Sequence, residues 1–236
     1  AFAVYGGAVA CQMNTVVRGN VFEDSYVTGG GGAISGNEGA LIANNIFRRN
    51  RASRGGAIIF SDCSGPVRVE GNLFEENHAE LFGGAIAVDN FHIFLDELKL
   101  SNNTLIKNTA GTSGGGIHSS GSWIWINVTN CILWENSQGQ IRHGAVSVVV
   151  VRFSDVQGGW AGEGNINADP RFDAAWHLKA GSPCLDAGDG NIASQKDAEG
   201  KPRFDDPNVV NTGVGNPDFT DLGAYERQGR QADSGI

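Results

Sequence analysis

Gly55-Gly56-Ala57-Ile58, followed by Val67-Arg68-Val69-Glu70 and then by Asn72-Leu73-Phe74-Glu75-Glu76-Asn77, decides the reading of this chain. Both of its ends recur. Gly-Gly-small-aliphatic also stands at Gly6-Gly7-Ala8-Val9, Gly31-Gly32-Ala33-Ile34, Gly83-Gly84-Ala85-Ile86 and Gly114-Gly115-Gly116-Ile117, at spacings of 25, 24, 28 and 31 residues. Asn-x-Phe/Leu-x-x-Asn follows each copy, as Asn20 to Ser25, Asn45 to Asn50, Asn72 to Asn77, Asn103 to Asn108, and Cys131 to Asn136. Five and three positions before each second motif lie Thr15/Val17, Ala40/Ile42, Val67/Val69, Leu98/Leu100 and Ile126/Val128, with Arg18, Arg68, Glu70, Lys99, Asn127 and Thr129 among the residues between and beside them. That is period two, one face buried and one wet.

A unit of this length with short strands, glycine turns and no amphipathic helix cannot bury its apolar face alone, but a stack of copies can. The expected fold is all-β, a single-stranded right-handed parallel β-helix of about five to six rungs over residues 1–153. A loop-rich C-terminal cap, 154–236, is expected to pack on the last rungs. Equivalent residues then lie one above another at about 4.8 Å. Phe22, Phe47, Phe74, Leu105 and Leu133 form an inner column. Asn50, Asn77, Asn108 and Asn136 form a structural ladder at a turn, where Asn tolerates the left-handed conformation and its amide bonds above and below. Glu23-Asp24, Arg48-Arg49, Glu75-Glu76 and Ile106-Lys107 are expected to be exposed, as a cross-rung charge ladder. A sixth rung is expected within Ala145 to Gly159, with Val149 and Val151 turned inward.

Composition agrees. There are 35 glycines in 236 residues, about twice ordinary usage. No apolar run approaches the roughly 18–20 residues of a membrane span. Seventeen Lys and Arg against 26 Asp and Glu leave a net charge of −9, the wrong sign for gripping phosphates, so nucleic acid is not an expected partner. Cys11, Cys63, Cys131 and Cys184 contain no C-x-x-C pair and permit three disulfide connectivities or none. No charged segment followed by an apolar one opens the chain, so any secretion signal is expected to lie outside it.

The alternation of Gly-Gly-Ala-Ile with Asn-x-Phe-x-x-Asn over residues 1–138 resembles the repeats of polymorphic outer-membrane proteins and related right-handed parallel β-helix surface proteins. The text from Ser154-Asp155-Val156 through Asn165 to Phe172, Gly181 to Asp189, Asp197 to Phe204 and Asp221-Leu222-Gly223-Ala224-Tyr225-Glu226 resembles the tail of large secreted bacterial proteins of the choice-of-anchor type. These resemblances imply extracellular or cell-surface placement and carry no established chemistry. The opening Ala1-Phe2-Ala3-Val4-Tyr5 runs almost directly into a Gly-Gly motif. The first rung is therefore expected to contact another copy of the chain or a larger parent protein.

The outward positions Val16/Arg18, Leu41/Ala43, Arg68/Glu70, Lys99/Ser101 and Asn127/Thr129 hold no acidic cluster of the kind a calcium-dependent lyase or a two-carboxylate hydrolase needs. The expected function is a non-enzymatic secreted or cell-surface module: adhesin, spacer or assembly subunit. The alternative is a carbohydrate-active enzyme or glycan-binding module. Trp123 and Trp125, alternating with Ile124 and Ile126, are expected to point outward, where they and Phe91, His92 and Phe94 of a long insertion offer a glycan or surface-protein contact. Asp186, Asp189 and Asn191 place oxygen ligands in glycine turns, as calcium sites do. No other cofactor is expected. His78, His92, His118, His143 and His177 fit no metalloprotease or triad pattern and read as turn or surface residues.

Overall fold

The computed structural model describes residues 7–36, 39–61, 65–89, 97–120 and 124–229. Every strand pairing within the coil is parallel, in three six-stranded sheets and one three-stranded sheet. The first sheet stacks Val9–Ala10, Ile34–Gly36, Ile58–Ser61, Ile86–Asp89, Ile117–Ser119 and Ile141–His143. The second stacks Val16–Arg18, Leu41–Ala43, Val67–Glu70, Glu97–Ser101, Trp125–Thr129 and Val148–Arg152. The third stacks Val21–Glu23, Ile46–Arg48, Leu73–Glu75, Thr104–Ile106, Ile132–Trp134 and Asp155–Val156. The chain passes through the sheets once per rung, so this is the right-handed parallel β-helix expected.

The inner columns hold. Phe22, Phe47, Phe74, Leu105, Leu133 and Val156 are register partners. The Phe47 ring stacks on Phe22 at 5.2 Å and on Phe74 at 4.8 Å. Ile34, Ile58, Ile86, Ile117 and Ile141 make a second column. One buried cluster takes in both columns and the second sheet's Ile42, Val69, Leu100, Val128 and Val151.

The Gly-Gly pairs have a steric cause. Gly31, Gly55, Gly83 and Gly114 have φ between 60 and 72°, a region that penalises any side chain. A Cβ on Gly32, Gly56 or Gly84 would collide with the carbonyl oxygen of the second glycine in the rung above.

Asn50 donates its Nδ2 to Asn77 Oδ1 at 3.0 Å and to Phe22 O at 2.9 Å, and the Asn50 N–H also reaches Asn77 Oδ1. Asn77 and Asn108 repeat the pattern one rung on. The first Asn of the motif builds a parallel ladder through Asn45, Asn72 and Asn103. One expectation is corrected: the left-handed residues are those before the second Asn, namely Asp24, Arg49, Glu76, Lys107 and Glu135, with φ of 52 to 55°. The preceding residue turns the corner, and this lets the Asn amide lie along the rod axis.

The charge ladder forms between Arg48 and Glu75 at 2.7 Å and between Arg49 and Asp24 at 2.7 Å. Ile106, expected to be exposed, is buried beneath Ala224 and Tyr225. The sixth rung starts earlier than expected, at Ile141–His143, because Gln138-Gly139 replaces its Gly-Gly pair. Val151 is buried within it and Val149 packs partly on the core.

Residues 154–168 close the C-terminal end. Ile166 bridges Asp155, Asn165 bonds Ser154 N and Val151 O, and Trp160 packs on the core. The rest of the tail lies against the side of the coil, not only on its last rungs. Leu222, Leu178 and Leu185 cover Ile132, and Ala224 and Tyr225 cover Ile106 and Leu73. Gly223 N donates to Asn130 O at 2.8 Å and Ala224 N to Thr104 Oγ1 at 3.0 Å. Gly223 has φ 87°, and a Cβ there would press on Thr104.

Cys11, Cys131 and Cys184 are buried free thiols; Cys63 lies outside the described residues. Cys131 takes the place of Asn in its ladder, with its thiol pushed by burial to about 12.

Asp155, at the junction of coil and tail, accepts from Ala168 N at 3.2 Å and from the Cys184 thiol at 3.3 Å. Burial raises its carboxyl to about 6. A raised carboxyl makes the folded state bind the proton more tightly, so stability from this group is fully present below pH about 4 and is lost as pH rises to about 6. Asp155→Asn should therefore gain on the wild type by up to about 3 kcal/mol across that window. Paired urea melts at pH 4 and pH 7 check it; parallel pH profiles of the two proteins would refute it.

Candidate functional site

The outer face of the second sheet carries three rows of side chains fixed by register. Arg68, Lys99 and Asn127 align in one row, Glu70, Ser101, Thr129 and Arg152 in another, and Glu97, Trp125 and Val148 in the third. The tail adds Asn191 and Ile192 as a wall, enclosing a groove of about 500 Å³. Strand alternation puts these residues outside because Val67, Val69, Leu98, Leu100, Ile126 and Val128 fill the inside.

Among the described residues, the groove's charges are paired except for Arg152. Lys99 Nζ lies 2.9 Å from Glu97, Arg68 lies 3.8 Å from Glu70, and Asn127 Nδ2 donates to Glu97 at 2.5 Å. Glu70 pairs across to Ser101, four residues beyond Glu97. That offset places the two backbones about 13 Å apart along the strand direction, and each carboxylate is turned to a cation of its own strand, Glu70 to Arg68 and Glu97 to Lys99. The groove offers hydrogen-bond donors and acceptors beside an aromatic ring.

Trp125 is 49 % exposed, as its alternation with the buried Ile124 and Ile126 requires. Trp123, Phe91, His92 and Phe94 lie outside the described residues.

The three expected calcium ligands have different surroundings. Asp189 Oδ1 accepts from Asn191 N at 2.9 Å, an Asx turn that shapes its own loop, and Asn191 lines the groove. Asp186 is buried, with its N–H on Asp221 Oδ1 at 2.9 Å. Burial and the neighbouring carboxylates Glu226 and Asp205 push its carboxyl to about 7. Asp221 is raised well above its usual range by burial and then by Glu226. Among the described residues no three His, Cys, Asp or Glu side chains converge as a metal cluster.

A second cavity, of about 540 Å³, lies within the tail and is lined by Asp173, His177, Lys179, Lys201 and Arg227. His177 stacks on Tyr225 at 4.5 Å, with Nε2 3.1 Å from Glu199. His177 is thus part of the tail's internal packing. His118 stacks on Phe82 at 4.4 Å, and burial lowers its pKa. Sequence reading singled out the outward pairs of the groove but not the Asn191–Ile192 wall, which comes from a tail without periodicity.

No helix among the described residues is long and apolar enough to cross a membrane. Neither the curated proteins nor the solved structures compared with the chain give a match. The family model described as the right handed beta helix region matches residues 3–154, the stretch that builds the coil and its ladders. On that match, which spans more than half of its length, the chain belongs to the right-handed β-helix family.

Proposed function

We propose that the chain is a secreted or cell-surface β-helix module of adhesin type, a rigid rod that presents the groove of its second sheet to a glycan or surface protein. The observation that carries this reading is the groove itself. Exposed Trp125, the register partner of Glu97, stands at the edge of the groove, and the pairs Lys99–Glu97 and Arg68–Glu70 inside it are free to be exchanged for a ligand's polar groups. The resemblance of the repeats to those of surface β-helix proteins supports the placement outside the cell. The alternative, a carbohydrate-active enzyme in the same groove, has less support because Glu70 and Glu97 are offset along the sheet and each is turned to a cation of its own strand.

Contact along the rod axis is part of the proposal. Among the described residues, Val9–Ala10, Val16–Arg18 and Val21–Glu23 are the terminal strands of their sheets, with Val16 63 % and Val21 58 % exposed. Terminal strands offer unpaired backbone groups to another rung, from a second copy or from a larger parent protein.

One experiment addresses both contacts. Immobilised chain is probed with neutral and acidic polysaccharides and with soluble copies of itself. Retention of a polysaccharide that falls about tenfold or more in Trp125→Ala, with no release of reducing ends or unsaturated products, is expected from the loss of an aromatic anchor. Product release would make the groove catalytic. Binding unchanged by Trp125→Ala would move recognition elsewhere, and failure to retain soluble chain would remove axial stacking of copies.

A further inference from the structure

The tail's acids are not equally served. Glu226 accepts from Phe204 N at 3.0 Å and from Arg203 Nη1 at 2.7 Å. Asp221 accepts from Asp186 N at 2.9 Å and from Arg227 N at 2.8 Å. Asp206 accepts from Asn208 N at 3.0 Å and pairs with the Arg227 guanidinium. Asp186 is the exception. It is 1 % exposed, and neither carboxylate oxygen has a partner in good hydrogen-bond geometry, the Asp206 N–H alone being turned loosely toward it. Its backbone is fully used, with Thr212 N and Gly213 N donating to its carbonyl. The charges it feels most are those of Glu226, Asp205 and Asp206, all of its own sign.

A second orphan lies across the same backbone pairing. Segments 184–188 and 220–222 are joined by Leu222 N to Cys184 O at 2.9 Å and by Gly188 N to Thr220 O at 2.8 Å. Thr220 Oγ1 is buried there without a partner. Two orphaned oxygens on a buried carboxylate are costly unless something of opposite charge meets them. A proton would neutralise the group yet leave one oxygen bare, whereas a cation meets both.

We propose that Asp186 is the principal ligand of a calcium ion that holds the tail segments 184–188 and 220–226 together. Every candidate donor is oxygen, which selects a hard cation over zinc or copper. With one carboxylate as the main protein ligand, the Thr220 hydroxyl, backbone carbonyls and water complete the shell. Calcium tolerates such an irregular, partly hydrated shell better than magnesium, which demands a near-ideal octahedron. The site replaces the set Asp186, Asp189 and Asn191, of which only Asp186 is orphaned.

The test uses the whole chain, stripped with EDTA, titrated calorimetrically with calcium chloride and melted with and without it. A saturable heat is expected, with a rise in Tm of about 5–10 °C at a hundredfold excess over Kd, and a smaller response to magnesium chloride. Asp186→Asn should abolish both effects while Asp189→Asn keeps them. If Asp186→Asn does not fold, Thr220→Val takes its place and should weaken calcium binding about tenfold, the loss of one good ligand. No heat and no Tm response in the wild type would overturn the proposal. So would a response that survives Asp186→Asn, or both Thr220→Val and Asp189→Asn.

Discussion

Phe74→Asp is expected to leave the chain unfolded at neutral pH. The Phe74 ring is fully buried, stacks at 4.8 Å on Phe47, and has Leu105 as its register partner on the other side. Losing a buried Phe costs about 3–5 kcal/mol. The carboxylate that replaces it must then be ionised in an apolar column or protonated against its ordinary pKa, at several kcal/mol more. The sum rivals the whole stability of an ordinary domain, about 5–15 kcal/mol. Position adds to it, because a solenoid rung is stabilised by its neighbours and Phe74 lies in the third of six. Phe74→Leu is the control: Leu105 and Leu133 occupy the same column two rungs running, so its cost should be only about 1.5 kcal/mol. Far-ultraviolet circular dichroism and urea melts read both variants. A Phe74→Asp chain as stable as the wild type would mean that this residue does not face the interior.

That Phe74 was legible at all follows from the way a coil repeats. Each rung must meet the same steric and hydrogen-bonding demands as the one below, so Gly55-Gly56 and Asn72 to Asn77 return wherever the chain makes the same turn. Where a rung satisfies the demand differently, the signal fades. Gln138-Gly139 opens the sixth rung without a glycine pair, and reading by motif placed that rung too late. The left-handed corner was assigned to Asn77 because Asn favours it, yet Glu76 occupies it, since the amide of Asn77 has more bonds to make along the axis. The tail is the opposite case. Leu73, Ile106 and Ile132 face outward and are apolar because Ala224, Tyr225 and Leu222 cover them, from more than 80 residues away in sequence. No period links the two. The partners of Asp186 were hidden for the same reason: Asp221 and Glu226 follow it by 35 and 40 residues through loops that repeat nothing. The groove was half visible, in the outward pairs of the strands, and its wall was not.

The Asn ladder carries the last expectation, that Asn108→Ala costs about 2–6 kcal/mol although it removes only a small polar side chain. Asn108 Oδ1 accepts from Asn77 N at 3.0 Å and from Asn77 Nδ2 at 2.9 Å, while its own Nδ2 donates to Phe74 O at 3.0 Å and Asn136 Oδ1 at 2.9 Å. Truncation orphans two buried donors on Asn77, at about 1–3 kcal/mol each, while Phe74 O keeps the ladder bond from the facing strand. No water replaces them without opening the rung. Asn108→Asp should be no milder: it keeps the acceptor but turns a second oxygen toward Phe74 O and Asn136 Oδ1, two acceptors with nothing to donate. Asn20→Ala provides the contrast, because Asn20 is exposed at the end of the first ladder and hands its Nδ2 to Asn45 Oδ1 at 3.2 Å and Arg18 O at 2.9 Å. Water can stand in for it, and its loss should stay under about 1 kcal/mol. Urea midpoints of the three variants decide the matter. A cost for Asn108→Ala as small as that for Asn20→Ala would show that the amide column follows the fold without holding it.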